Sequence, residues 1–261
     1  MIKLIRHNRH LIASMVARNL KARFAGTAMG ILWSFFLPLV QVCIYTFVFS
    51  VIMHAKALGE YQHVPFPIWL CAGLLPWNMF SEGLGMAVGS ITGNSHIVKK
   101  TMFDKRILPL CSVITSLVNH GIALSVLLVF MLFFGIRPGW TLLCLPLVSV
   151  IVFLWTLAWA YIVAALNVFL RDISQMVGVI LNFCFFATPI VYSKDLVPPV
   201  FGMIVKANPF FYLLQAYREI ILLNKLPNIF ELCVVTAGIT LFLSAAVYLF
   251  KILSYDFADS L

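Results

Sequence analysis

Long apolar runs separated by short polar connections set the organisation of this 261-residue chain. The first run extends over Gly30–His54 and the second over Phe66–Thr92. A third covers 107–135, a fourth 140–170, a fifth 173–192 and a last 229–253. A helix needs about 20 residues to cross a hydrocarbon core, so the pattern predicts six transmembrane helices. Trp33 sits at the start of the first, where interfacial tryptophans collect. Pro76, in GLLPWNMF, predicts a kink in the second. Arg137-Pro138-Gly139 is a tight turn, so the third and fourth spans should form an antiparallel hairpin. Arg171-Asp172 separates the fourth from the fifth with no room for a loop. That pair is expected at or just inside the membrane surface, its adjacent opposite charges partly offsetting desolvation.

Three stretches break this pattern. Residues 1–29 read as a basic amphipathic helix lying in the headgroup layer, with Leu4, Ile5, Leu11, Ile12, Met15, Val16 and Leu20 on one face. Lys3, Arg6, Arg18 and Lys21 fall opposite, with Arg9 and Arg23 nearer the apolar edge. GNSHIVKKTMFDKRILPL, from Gly93 to Leu110, concentrates Lys99, Lys100, Lys105 and Arg106 around Asp104 in a chain otherwise poor in charge. It reads either as a short cytoplasmic helix over Ser95–Arg106, capped by Asn94 or Ser95, or as a plain positive-inside loop. Between Pro189 and Pro227 the chain is too apolar for a free loop and too often broken for one span. Here the sequence predicts two short helices over 195–224. One starts near Asp195, with Pro198 or Pro199 in its first turn; the other has Asn208 as cap and Pro209 at its first position. They read as a re-entrant pair in the outer leaflet, or as a surface connector.

Composition supports a polytopic membrane protein. The chain is 62% hydrophobic and 10% charged, with mean hydropathy +1.02, whereas about a quarter of an ordinary globular chain is charged. Net charge +9 arises from cations flanking apolar runs, which argues for membrane orientation with both termini inside rather than for nucleic acid. The six cysteines are scattered singly, with no spacing that suggests disulfides or metal ligands. No phosphate-binding GxxxxGK[ST] occurs, nor a recognisable catalytic set. Glu82 is the one acidic residue of the second span, a functional candidate or an interhelical hydrogen-bonding group. His120, in the third, reads as polar packing between helices. An ion-coupled carrier would want several such groups, so the simplest energy source is a partner acting at the cytoplasmic surface.

The ordered segments KARFAGTAMGILWSFFLPL, GLLPWNMF, IVKKTMFDKRILPL, ALNVFLRDI, ATPIVY and NPFFYLLQAYRE resemble the ABC-2 type permeases that export bacterial polysaccharides, over nearly the whole chain. The likeness is greatest to O-antigen (lipopolysaccharide) exporters, with capsule and teichoic acid exporters as relatives. It implies an all-α ABC-2 permease fold, and a non-enzymatic homodimer joined to two copies of an ABC ATPase. That partner would hold the ATP and Mg, leaving no cofactor in this chain. The substrate would be an undecaprenyl-diphosphate-linked polysaccharide crossing the bacterial inner membrane. By the same resemblance Ser95, His96, Lys99, Lys100, Phe103, Asp104, Lys105 and Arg106 form the coupling helix that docks on the ATPase. Arg171-Asp172 is then the pair typical of the fourth span's cytoplasmic end. Asp195, Asn208, Pro209, Tyr212, Arg218 and Glu219 belong to periplasmic gate helices. The chain departs from its relatives at Asp104, where they often carry Pro.

A sugar polymer offers hydroxyls and apolar C–H faces, so its conduit should present aromatic rings and few fixed charges. Trp33, Phe36, Tyr45, Trp77, Phe80, Phe183, Phe186 and Tyr192 are candidates, with core packing or lipid contact as the alternative for each. Arg18, Lys21 and Arg23, with Arg171 and Asp172, are candidates to hold the pyrophosphate or lipid end at the cytoplasmic entrance. Two further readings, an ion-coupled carrier or channel and an integral membrane transferase, remain open.

Overall fold

The computed structural model describes residues 6–23, 25–54, 56–100, 103–193 and 197–261. Among them all regular structure is helical. In chain order the helices are α1 (Arg9–Arg23), α2 (Trp33–Tyr45), α3 (Phe66–Val88), α4 (Ser95–Lys100), α5 (Ile107–Phe133) and α6 (Leu145–Phe169). They continue as α7 (Ile173–Ala187), α8 (Pro199–Ala207), α9 (Pro209–Arg218), α10 (Ile229–Leu253) and α11 (Phe257–Ser260). Wider π turns extend α2 to Ile52 and α9 to Leu223.

Four helical stretches of the described residues are long and apolar enough to cross a membrane: Trp33–Ile52, Ile107–Phe133, Trp140–Phe169 and Ile229–Leu253. Each falls inside an expected run. The helix of the second run, α3, is less apolar because it is the least exposed to lipid. It packs along α5 and α6, and α6 in turn packs along α10. A helix surrounded by protein can carry Asn78, Ser81 and Glu82 where a lipid-facing one could not. Pro76 withdraws one backbone donor, yet α3 runs through it unbroken. The α2 helix lies at the periphery, with Phe35, Leu39, Ile44, Phe47 and Val51 exposed.

Small residues let the central helices approach closely, the usual means of association where lipid gives no hydrophobic drive. A Cβ on Gly83 would lie 2.7 Å from Ser116 Oγ of α5 and 2.8 Å from Thr156 Cγ2 of α6. The hydroxyls at such junctions are satisfied within their own helices: Thr115 donates to the Cys111 carbonyl and Thr156 to that of Val152, both at 2.8 Å. Asn167, near the end of α6, donates at 2.9 Å to the Val88 carbonyl at the C-terminus of α3, taking up one of that helix's open acceptors.

Several local expectations are corrected. The stripe that α1 buries is narrow, Ile12, Met15 and Val16, packed beside Cys111 of α5; Leu11 is exposed, and Leu4 and Ile5 lie outside the described residues. The helix in the basic connection spans 95–100 rather than 95–106. A 3-10 turn over Thr92–Asn94 leads straight into it, and Asn94 Nδ2 donates to the Ser90 carbonyl at 2.8 Å. The cause of the break before α5 is Asp104, whose Oδ1 accepts from its neighbour-but-one amide, Arg106 N, at 3.1 Å. This Asx-type turn competes with continued helix. Thr101 and Met102 lie outside the described residues. In the 189–227 stretch, α8 begins at Pro199; Asp195 lies outside the described residues. Asn208 does cap α9, accepting from Phe210 N at 3.0 Å.

The hairpin turn at Arg137–Gly139 docks on the end of α9. Thr141 Oγ1 donates at 2.9 Å to the Ile220 carbonyl, and Asn224 turns the chain in the left-handed region, φ 51°.

Candidate functional site

A polar tract runs between α1, α2, α3 and α5. Its lower part is a cavity of ≈570 Å³ lined by Arg18, Asn19, Arg23, Glu82, Ser90 and Asn94, among others. Its upper part, ≈390 Å³, is lined by Ser34, Gln41, Asn78, Asn119 and His120, and again by Arg23 and Glu82. The Arg23–Glu82 ion pair therefore borders both chambers. Asn119 donates to the same carboxylate oxygen at 2.6 Å. Arg23 projects from the last turn of α1 and its side chain is 40% exposed, against 23% for Glu82. The pair is thus half-wet on the arginine side and better shielded on the carboxylate side. Lower down, Arg18 donates at 3.0 Å to Asn94 Oδ1, and Asn94 Nδ2 donates at 2.8 Å to the Ser90 carbonyl. These bonds tie α1 to the connection that follows α3. Ser34 Oγ and Asn119 Oδ1 are buried without a protein partner beside the upper chamber, as befits a space that holds water.

At the wall of the upper chamber, His120 joins four helices. Its Nδ1 lies 3.2 Å from the Leu75 carbonyl. A carbonyl only accepts, so Nδ1 carries the proton and Nε2 accepts from the Tyr217 hydroxyl of α9 at 2.9 Å. Ser149 of α6 completes the set, 2.6 Å from the same hydroxyl. His120 is therefore interhelical packing, in line with its reading from sequence. Its partners, 97 and 29 residues away in sequence, leave no local signal.

The expected site residues are only partly brought together. Of the entrance set, Arg18 and Arg23 share the lower chamber, while Lys21 is exposed and not among its lining. Arg171 and Asp172 are exposed at the α6–α7 turn. They form no ion pair among the described residues.

Of the aromatic set, Trp77 and Phe80 are buried. Trp77 packs against Phe185 and Phe210, and Phe80 against Phe210 and Trp155. These two are core residues of this chain, a correction to their expected place along a conduit. Phe183 and Phe186 of α7 are exposed. Phe36 is exposed beside half-buried Trp33, and Tyr45 accepts from Gln41 at 3.1 Å. Tyr192 donates to the Phe186 carbonyl at 2.8 Å.

In the basic connection, Ser95 is half-buried, and His96 and Lys99 are exposed on α4; the side chain of Lys100 lies outside the described residues. Phe103 packs partly against the core. Arg106 forms a two-pronged pair with Asp104. Partial burial alone would raise the Asp104 carboxyl, but its bonds from Arg106 outweigh this and hold it below its usual range. Lys105 Nζ donates at 2.6 Å to the Ser254 carbonyl at the C-terminus of α10, a favourable place for a cation. Among the gate residues, Pro209 opens α9, Asn208 also donates at 2.9 Å to Thr188 Oγ1, and Tyr212 donates at 2.9 Å to the Lys206 carbonyl. Gln215 Nε2 lies 3.4 Å from Glu219 Oε1. Arg218 is buried beneath Trp69, a location that sequence reasoning missed.

The arrangement defines an integral membrane protein built to hold polar and charged groups within a helical bundle and to present a basic surface beside it. Residues 10–222 match the family of ABC-2 type transporters. The chain belongs to that family. It is 33% identical over 267 residues to the O-antigen export system permease protein RfbA of Myxococcus xanthus, covering 100% of both chains. A protein of the same name from Klebsiella pneumoniae is 27% identical over 253 residues, covering 96% of this chain and 95% of the relative. The polysialic acid transport protein KpsM of Escherichia coli is 28% identical over 86 residues, about a third of each chain.

Proposed function

We propose that this chain is the membrane subunit of an ATP-driven exporter that moves an undecaprenyl-linked O-antigen polysaccharide across the bacterial inner membrane. The observation that carries the reading is its end-to-end similarity to an O-antigen export permease, at 33% identity. Counting α3 and α7 with the four long apolar helices gives six spans, an even number that leaves both termini on one side, and the cations flanking the spans favour the cytoplasm for that side. In this scheme α1 is an interfacial helix. The stretch 95–106 couples to an ABC ATPase, which binds ATP and Mg, and α8 and α9 form the periplasmic gate. Two copies of the permease and two of the ATPase make the working unit, with the glycan passing between permeases along the exposed aromatic face of α7. Arg18 and Arg23 meet the diphosphate end of the lipid-linked substrate in the lower chamber.

The basic connection supports coupling to a partner: His96 and Lys99 are exposed, and Lys105 ties the segment to α10. A push on the connection therefore reaches both α5 and α10. The ion-coupled alternative is disfavoured because Glu82 is already matched by Arg23. Export of an acidic capsular glycan is a second reading, favoured by the partial similarity to a polysialic acid transport protein.

The test is affinity purification of the tagged chain in mild detergent together with surface-glycan display in cells. An ABC ATPase should co-purify and be lost when Lys99, Lys105 and Arg106 are replaced by Glu. Deletion of the chain should abolish display and leave lipid-linked glycan inside. Recovery of the intact chain alone under several detergents, with display unchanged on deletion, would overturn the reading.

A further inference from the structure

At the opposite end of α3 from Glu82, the structure carries a second polar site. Arg218 is 5% exposed and Trp69 is 2% exposed. The guanidinium lies 3.7 Å over the Trp69 ring. It donates to the Pro189 carbonyl at 3.0 Å and to the Ile190 carbonyl at 2.6 Å. Gly73 leaves the space it occupies, since a Cβ there would lie 2.7 Å from Nη2. Among the described residues no carboxylate forms an ion pair with it. Two donors remain without an acceptor, Arg218 Nε and Trp69 Nε1. Both side chains line one cavity of ≈230 Å³.

A buried N–H without a partner is unfavourable, so the cavity calls for an occupant that accepts hydrogen bonds. The other lining groups narrow its chemistry: the Tyr61 and Phe211 rings, the Gln215 amide, and the carboxylates of Glu60 and Glu219. Glu60 is paired with Lys225 at 2.7 Å, and the Glu219 carboxylate opposes a free anion. An apolar ligand would leave both N–H groups unmatched. A neutral polyhydroxylated ring fits: its oxygens accept from Arg218 and Trp69, its hydroxyls donate to Gln215 and Glu219, and its C–H face lies on an aromatic ring. Burial, followed by the charge of Glu219, pushes the Tyr61 phenol up to about 12, so that group stays a donor at neutral pH. Small-molecule pockets commonly span about 300–1,000 Å³; at ≈230 Å³ this one admits a single sugar unit and not an oligomer.

We propose that the Arg218–Trp69 cavity is a binding subsite for one sugar residue, a contact point for the glycan on the gate side of the bundle. The proposal rests on the export reading for the source of that sugar, while the binding chemistry stands on the cavity itself. Its test uses the full chain with its ATPase in lipid nanodiscs. Saturation-transfer NMR is recorded with free glucose, galactose, mannose, rhamnose and glucuronic acid, and with inorganic phosphate as competitor. Transfer to at least one neutral sugar is expected. It should fall about fivefold or more in Gln215→Ala and in Phe211→Leu, as loss of one wall contact implies, and phosphate should not displace it. Each variant is compared at an unchanged thermal midpoint, and Phe211→Leu, an apolar exchange at a half-buried position, serves if Gln215→Ala is unstable. No transfer from any sugar would mean ordered water only and overturn the subsite. Transfer unchanged in both variants, or displacement by phosphate, would overturn it as well. Surface display that depends on the chain while sugar transfer is absent would sink the subsite and leave the export reading standing.

Discussion

The Arg23–Glu82 pair makes an asymmetric prediction. Replacing Glu82 by Gln keeps a group that can accept from Asn119 and removes only the partner of an arginine whose side chain is already 40% exposed. Arg23 then turns to water, and the loss resembles that of a partly screened surface pair, about 1 kcal/mol. Replacing Arg23 by Gln is different. The Glu82 side chain is 23% exposed and keeps only Asn119 as a charge-compensating donor, which approaches the case of a buried charge stripped of its partner, about 3–5 kcal/mol. Solvent in the two adjoining chambers moderates this, so roughly 2–3 kcal/mol is expected. The double substitution should cost less than the sum, because the charge left behind in one single variant is gone. Thermal denaturation of the purified complex, run as a double-mutant cycle, reads all three values. If Glu82→Gln proved as costly as Arg23→Gln, or if the effects added, the pair would not be the joint between the chambers.

Gly83→Ala should destabilise by about 1–3 kcal/mol through overpacking at the α3–α5–α6 junction, while Gly85→Ala, with open space around its Cβ, should leave the thermal midpoint near wild type. Tyr217→Phe removes the hydroxyl shared by His120 and Ser149 and should cost about 1–3 kcal/mol by leaving buried polar atoms unmatched, as read by the same denaturation assay. Asp104, held below its usual range by Arg106 despite the opposing effect of burial, stabilises the turn above the ordinary carboxylate pKa. That contribution should fade as pH falls through the depressed value, so ATPase co-purification should persist at pH 5 and weaken in Asp104→Asn at every pH.

The spans were legible because lipid exposure demands apolar residues without interruption: Trp33–Ile52, Ile107–Phe133 and Ile229–Leu253 all lie within runs read from hydropathy. The cap at Asn208 followed by Pro209 was equally readable, since its chemistry is local. What escaped was tertiary. Arg23 and Glu82 stand 59 positions apart, and no local pattern pairs them. Trp77 and Phe80 sit on a helix that is mostly enclosed by protein, so an aromatic residue there gives no sign of whether it faces a conduit or the core. Helix beyond Lys100 was expected from composition, but the Asp104 side chain competes for the backbone. Arg218 reads from sequence only as a member of the gate helices, and its burial leaves no local signal because the cavity around it is built from three distant segments.

The bond from Lys105 to the Ser254 carbonyl joins positions 149 residues apart, and its lysine also lies over the Phe257 ring. During synthesis this fastening cannot form until the helix ending at Leu253 has left the ribosome and inserted. Until then the basic connection has its internal Asp104–Arg106 bonds and its contacts with the earlier helices, through Asn94 and Phe103, but no tie to α10. The surface proposed to receive the ATPase is thus completed by the last span to be made, which builds an order of assembly into the chain. A permease truncated before α10 would insert its earlier spans yet offer its partner an unfastened dock.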